Sequence, residues 1–267
     1  MSDYAGAACA VDASRRYGGI VRLYGAAGLA RLRAAQVAVA GLGGVGSWVV
    51  EALARSGVGH LRLIDLDHVA ESNINRQIHA LEMTLGQSKV EAMAARVAQI
   101  DPGTRVTCID DFLTEENLAS VLAPPLDYVV DAIDDVRAKA ATLAWCQRNG
   151  VALITIGGAG GKTDPAQVRL VDLGRTTEDP LLAKMRARLR SHYGYAKGAG
   201  RKFHVDAVFS PEIQRSPEGG AATTGLNCAG FGSSMVVTAS YGLVAAGRVI
   251  DRLARGEGVG GASAGQE

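Results

Sequence analysis

Six residues, Gly41-Leu42-Gly43-Gly44-Val45-Gly46, spell G-x-G-x-x-G directly after an apolar run and directly before a helical pattern. Backbone N–H groups at such a helix start can point at phosphate oxygens, and the helix dipole favours their negative charge. Glycine is required wherever a Cβ would keep a phosphate away. Gly41, Gly43, Gly44 and Gly46 are therefore the expected phosphate cradle. Roughly twenty positions on stands Asp65, with Asp67 beside it, and a carboxylate at that place holds ribose hydroxyls. These features suit NAD and ATP equally and do not choose between them.

A polar run, Ser72-Asn73-Ile74-Asn75-Arg76-Gln77, begins just beyond the Asp65 strand, at the rim where ligands sit in open parallel sheets. Lys89 opens the next helix, while Asp131 and Asp134 end a later strand at the same rim. Taken singly, Arg76 and Lys89 read as solvated charges. Together with a carboxylate they suit phosphoryl or nucleotidyl transfer: the cations neutralise charge developing on phosphates, and the carboxylate, Asp131 or Asp134, can hold Mg²⁺. Hydride transfer needs no such cluster. Arg76, Lys89 and one of those two carboxylates are the catalytic candidates at this point, and Asn73, Asn75 and Gln77 of the polar run join Asp65 and Asp67 as candidate nucleotide contacts.

Residues so far apart meet only if a scaffold carries strand ends to one edge. Strand patterns over 36–40, 60–65, 105–109, 127–132 and 151–156 alternate with helical patterns over 47–56, 89–99 and 137–148. That rhythm predicts an α/β fold, a Rossmann-like and mostly parallel sheet with helices on both faces. After Gly161 it changes. Residues 167–173 alternate like an edge or antiparallel strand, and Leu181, Leu182, Met185 and Leu189 give a helical stripe through 184–190. Residues 191–224, rich in Gly, Ser, Pro and charge, are expected to be a mobile loop or flap. Residues 229–250 form an apolar, small-residue helix with Arg248 its one charge. It reads as a buried C-terminal helix or as a membrane-associated one, and its many Gly, Ser, Thr and Ala residues favour burial. Residues 14–255 are expected to form a single domain, with 1–13 and 256–267 as flexible tails.

The composition fits a globular protein: 267 residues, 48% apolar and 21% charged, with 34 glycines in no fixed period. A net charge of +1 excludes neither a nucleic acid nor an acidic substrate, because local patches outweigh the sum. The cysteines, at 9, 108, 146 and 228, form no C-x-x-C pair, so no zinc site is expected. Residues 1–11 lack the basic flank and apolar run of a signal peptide, and the cytoplasm is the expected compartment.

The series GLGGVGSW, LIDLD, SNINRQ, Lys89 and DAIDD resembles the ubiquitin-activating-type adenylating enzymes, a superfamily that includes activators of sulfur-carrier proteins. More narrowly, RRYGGIVRLYG, NRQIHAL, DAIDDVRAKA, GGAGGKTDP, DPLLAKMRARLR and NCAGFGSSMVVTAS resemble the tRNA threonylcarbamoyladenosine dehydratases. The resemblance spans roughly residues 14–250 and implies roles position by position. Gly43 and Gly44 would approach the phosphates, Asp65 would bind ribose, and Asn73 would position the nucleotide. Arg76, Gln77 and Lys89 would hold the triphosphate and its transition-state charge, with Asp134 on Mg²⁺. The implied substrate is a tRNA whose adenosine next to the anticodon carries a threonylcarbamoyl group. Its carboxylate would attack the α-phosphate of ATP, and internal attack on the acyl-adenylate would then close a ring with loss of AMP. Activation of the C-terminus of a sulfur-carrier protein is the alternative, which the missing C-x-x-C pairs disfavour.

The same resemblance implies a homodimer and leaves open a sulfur-relay protein partner and a monovalent ion. Family members often carry an arginine-rich N-terminal motif that completes the neighbouring subunit's site. Here Arg16 matches its first arginine while Gly19 stands where a second is common, so Arg16 or Arg22 is the candidate. Cys228 reads as a buried thiol or a catalytic one, with no basic neighbour in sequence to activate it. Finally, Lys184, Arg186, Arg188, Arg190, Lys197, Arg201 and Lys202 form a basic run free of Asp and Glu. It is either a solvated face or a set of tRNA phosphate contacts.

Overall fold

In the computed structural model, which describes residues 12–198, 201–215 and 231–257, the chain opens with two helices. They are α1 (Ala13–Arg16) and α2 (Gly18–Ala34), the latter broken at Gly25, whose φ is +74°. Neither stands out in the sequence, because α2 buries only Gly28 and Leu32 completely and has no strong apolar stripe.

The expected alternation then follows. It runs β1 (Gln36–Ala40), α3 (Gly46–Arg55), β2 (His60–Ile64), α4 (Lys89–Ile100) and β3 (Arg105–Ile109). A short α5 (Leu118–Val121) leads to β4 (Tyr128–Asp131), α6 (Val136–Arg148) and β5 (Ala152–Ile156). The remainder is β6 (Arg169–Asp172), α7 (Pro180–His192), β7 (Asp206–Phe209) and α8 (Met235–Arg255). The seven strands lie in the order β3-β2-β1-β4-β5-β7-β6, all parallel except β6, which pairs antiparallel with β7 at the edge. The chain leaves β1 toward β2 and β3, and later starts again on its other side at β4. The crevice outside this reversal is where ligands bind in such sheets.

Both faces of the sheet are covered. Val37 and Val39 point to a core shared with α3, α4 and α8, while Ala38 and Ala40 point to one shared with α6 and α7. That is why β1 reads as an unbroken apolar run.

Three expectations need correction. Residues 191–224 are not simply a loop, for β7 lies within them and fills the slot between β5 and β6. Phe203, Val205 and Ala207 do alternate with the polar His204 and Asp206, and all three are buried, but the Gly-, Ser-, Pro- and charge-rich sequence on both sides hid the run. Residues 199–200 and 216–224 of that stretch lie outside the described residues. Next, α7 starts earlier than its apolar stripe implied, because Asp179 caps it by accepting from the Leu182 N–H at 2.9 Å. Lastly, the membrane reading of 229–250 fails. Val237, Tyr241, Ala245, Val249 and Leu253 on α8 are buried against the first core, and α8 packs on α3 and α2. Among the described residues no helix is long and apolar enough to cross a membrane. Residues 1–11 and 258–267, most of both proposed tails, lie outside the described residues, as do Cys9 and Cys228.

The N-terminal helices are tied down through one carboxylate. Buried Asp101 accepts from Tyr17 Oη at 2.7 Å, from Gly103 N at 2.9 Å, from Arg16 at 3.3 Å and from Arg33. Burial pushes its carboxyl up, but these donors outweigh burial and hold it at about 2. A depressed carboxyl stabilises the fold above its unfolded pKa and loses that contribution as pH falls through the folded value. Asp101→Asn is expected to lower stability at pH 7 by about 2 kcal/mol. The gap from wild type should close between roughly pH 5 and pH 2, as urea unfolding across that range would measure.

Candidate active site

At the end of β1 the backbone turns through Gly41, whose φ is +87°. It folds so tightly that a Cβ on Gly46 would lie 1.8 Å from the Gly41 carbonyl oxygen. Gly43, by contrast, faces open space. The N–H groups of Gly43, Gly44 and Val45 have no acceptor among the described residues, and no side chain caps the start of α3. An uncapped helix N-terminus with free amides is a ready anion site.

Asp65, at the end of β2, anchors this loop. One oxygen accepts from Leu42 N at 2.6 Å and the other from Asp67 N at 2.9 Å. Burial pushes the Asp65 carboxyl up, against the pull of Lys89 and those two amides. Lys89, only 5% exposed, places Nζ 2.7 Å from Asp67 and 3.9 Å from Asp65. Its ammonium is thus already desolvated and held beside the cradle.

The polar run sits over the loop because Trp48 Nε1 on α3 donates to the Arg76 carbonyl at 2.9 Å. Asn73 Oδ1 accepts from Ala70 N at 3.0 Å and closes a short 3₁₀ turn. Arg76 donates to the Ser72 carbonyl at 2.6 Å and to Asn75 Oδ1 at 3.0 Å, so half of its guanidinium is fixed.

These groups line one cavity of about 700 Å³ across the ends of β2, β1, β4 and β5. It brings together Gly41, Gly43, Gly44, Asp65, Asp67, Asn73, Arg76, Gln77, Lys89 and Asp134. Gly46 and Asn75 lie outside its lining. Gly46 serves the close packing just described, and Asn75 donates to the Ser233 carbonyl at 2.9 Å, fastening the segment before α8. Asp131 is also not at the rim. It is fully buried, 3.0 Å from Lys139 Nζ, and accepts from Thr155 Oγ1 at 2.7 Å. Asp134, three residues on, is exposed in the cavity and makes no hydrogen bond through its carboxylate among the described residues.

Sequence reasoning missed part of the lining. Phe112, half exposed, enters from the loop after β3, with Glu115 and Glu116 beside it, and nothing in the sequence marks that loop. Gly157 and Gly158 form the wall at the end of β5, and the GGAGGKTDP motif was the available signal. Among the described residues, seven carboxylates and three cations line the cavity: Asp65, Asp67, Asp111, Glu115, Glu116, Asp134 and Asp135 against Arg76, Lys89 and Arg137. A triphosphate entering this cavity needs cations of its own.

The basic run divides in two. Arg186 is held by the Thr176 hydroxyl, Arg188 lies 3.3 Å from Glu115, and Arg190 stacks 5.3 Å from the Phe203 ring centre. Lys184, Lys197, Arg201 and Lys202 are exposed. Arg16 is engaged by Asp101 of its own chain, and Arg22 is exposed.

Comparison with known proteins joins this geometry to a family. The sequence profile of the ThiF family matches residues 15–244. The chain belongs to the ThiF family. It is 51% identical over 243 residues to the tRNA threonylcarbamoyladenosine dehydratase of Haemophilus influenzae, covering 90% of this chain and 93% of that one. It superposes on the crystal structure of E. coli tRNA N6-threonylcarbamoyladenosine dehydratase in complex with ATP with a TM-score of 0.85. The identity there is 46%, over 92% of this chain and 97% of the other. The AMP complex of the same E. coli enzyme matches with a TM-score of 0.84 and 45% identity, over 94% and 99% of the two chains.

Proposed function

We propose that this chain dehydrates threonylcarbamoyladenosine in tRNA, using ATP to activate the carboxylate and closing it into a ring. The observation that carries this reading is the 51% identity to a dehydratase of that name over nine-tenths of both chains. The cavity supports the matching chemistry, with loop amides and an Asp134 carboxylate that no described residue engages and a desolvated Lys89 at the sheet's reversal point.

A carboxylate is a poor acyl donor because its oxygen leaves badly. In the proposed first step the substrate carboxylate oxygen bonds to the α-phosphorus of ATP while the bond to the β-phosphate oxygen breaks, releasing pyrophosphate. Internal attack on the acyl carbon then expels AMP, and the nucleoside has lost the elements of water. The amides of Gly43, Gly44 and Val45 bind phosphate oxygens, and Asp65 accepts from ribose. Lys89, freed from Asp67, and Arg76 hold the charge that develops on the α-phosphate. Asp134 fits Mg²⁺, which takes one or two carboxylates together with phosphate oxygens, and the acid-rich lining favours a cation there. When bound, Mg²⁺ would neutralise the triphosphate.

We read the enzyme as ligase-type, cytoplasmic and homodimeric. The exposed Ile74, Leu81, Met83 and Leu85 on the segment between β2 and α4 support an apolar pairing surface. The exposed Lys197, Arg201 and Lys202 are the tRNA contacts that the geometry favours over Arg186 and Arg190. Reversing those three charges is expected to raise the KM for tRNA about tenfold or more and to flatten its salt dependence by about one unit of slope for each phosphate left without its cation. An unchanged salt slope would remove this surface from the tRNA path.

The reaction itself is tested by incubating the protein with modified tRNA, ATP and Mg²⁺, then digesting the tRNA and weighing the nucleoside. Loss of one water with release of AMP is the expected result. AMP release that depends on a carrier protein ending in Gly-Gly, and not on tRNA, would overturn it.

A further inference from the structure

Behind the β5 wall lies a buried polar cluster that touches neither phosphate nor ribose sites. Lys162 has a fully buried side chain, and its Nζ donates to the Ser210 carbonyl at 2.7 Å. The same Nζ lies 3.9 Å from Asp179, equally buried, and 6.0 Å from the Tyr241 ring centre. Asp179 in turn does two things. One oxygen caps α7 through Leu182 N, and the other accepts from Gly158 N at 3.0 Å. The Gly158 carbonyl accepts from Tyr241 Oη at 3.4 Å, so Gly158 is held through both its N–H and its carbonyl. Contact is so close that a Cβ on Gly157 would lie 2.1 Å from the Asp179 carboxylate.

This clamp sets one side of the cavity. Gly157, Gly158, Pro180 and Leu181 all line it, two from the end of β5 and two from the first turn of α7. β5 stands two strands from β1, roughly 10 Å at ~4.8 Å per strand. In the adenylation chemistry proposed above, the glycine loop and Asp65 would take the nucleotide at the β1–β2 side, which leaves the β5 side of the cavity for the acyl substrate.

We propose that Lys162 is a positioning residue for the acyl substrate: it balances the buried charge of Asp179, which keeps the Gly157–Gly158 wall seated against the start of α7. This role presupposes the adenylation chemistry proposed above. An unpaired buried carboxylate is costly, so without Lys162 the carboxylate would draw in water or a proton and the clamp would loosen. Glu178 and Glu212 carry the wrong sign, and Arg186, a second cation that acts on Asp179, donates to the Thr176 hydroxyl and forms no ion pair with that carboxylate, whereas Lys162 does.

Lys162→Gln keeps a donor for the Ser210 carbonyl and removes the charge. Asp179→Ser keeps a helix cap and removes the bond to Gly158. Each is expected to lower kcat/KM for modified tRNA at least tenfold while the calorimetric Kd for ATP stays within twofold. The double variant should be no worse than Asp179→Ser alone, because the two residues act through one another. Amide exchange at Gly158 and Leu182 should speed at least tenfold in Lys162→Gln. Unchanged tRNA kinetics with unchanged amide protection, losses that multiply in the double variant, or an equal loss of ATP affinity would each overturn the role. If Lys162→Gln melts below the assay temperature, Asp179→Ser is judged by the same measurements. A wild-type protein inactive on tRNA would count against the adenylation reading, and amide exchange would still decide whether Lys162 holds the clamp.

Discussion

Lys89→Ala should lower AMP formation from ATP and modified tRNA by about 10²–10³-fold, the scale at which one preorganised charge acts on a transition state. The size of the effect follows from where the ammonium sits. Lys89 is 5% exposed and lies between Asp67 at 2.7 Å and Asp65 at 3.9 Å, beside the loop amides that would receive the phosphates. Its removal deletes a cation and also leaves two carboxylates facing a polyanion. Lys89→Arg should recover only part of the rate, since a planar fork cannot occupy the same point. Chromatography of labelled nucleotide measures the loss, with melting temperature as the check on folding. An alanine variant within tenfold of wild type would remove Lys89 from the catalytic group.

The largest loss of stability is expected from Lys139→Met. Lys139 and Asp131 are both fully buried and 3.0 Å apart, and Lys139 also donates to the Asp131 main-chain carbonyl at 3.2 Å. Removing one partner of such a pair leaves an uncompensated charge in the interior, which costs about 3–5 kcal/mol. Combining Lys139→Met with Asp131→Asn should restore much of the loss, because the new amide carries no charge and can still accept from Thr155. Urea unfolding followed by fluorescence would measure both. If the single variant loses less than about 1 kcal/mol, water must reach the pair, since only exposed pairs contribute that little.

The pairing of Asp131 with Lys139 also marks where sequence reasoning stopped. Asp131 and Asp134 close the same strand pattern and look alike in sequence. One is locked under the sheet by Lys139 and Thr155, while the other is exposed in the cavity. Gly43 and Gly46 divide the same way, one open to the cavity and one packed on the Gly41 carbonyl. In the basic run, Arg186, Arg188 and Arg190 meet Thr176, Glu115 and Phe203, partners that their sequence neighbours do not reveal.

What the sequence determined by itself is local and periodic. β1 and β3 fall on their expected residues, β2 and β5 differ by one residue at one end and β4 by one at each, and the glycine loop, Asp65, Arg76 and Lys89 share one cavity. They were legible because a strand buried on both faces must be apolar throughout, and a phosphate-facing loop must be rich in glycine. β7, the Gly157–Gly158 wall and its buried Lys162–Asp179 support were decided only by the tertiary structure. Each depends on partners tens of residues away, and burial, not residue type, determines whether a charge works in the cavity or beneath it.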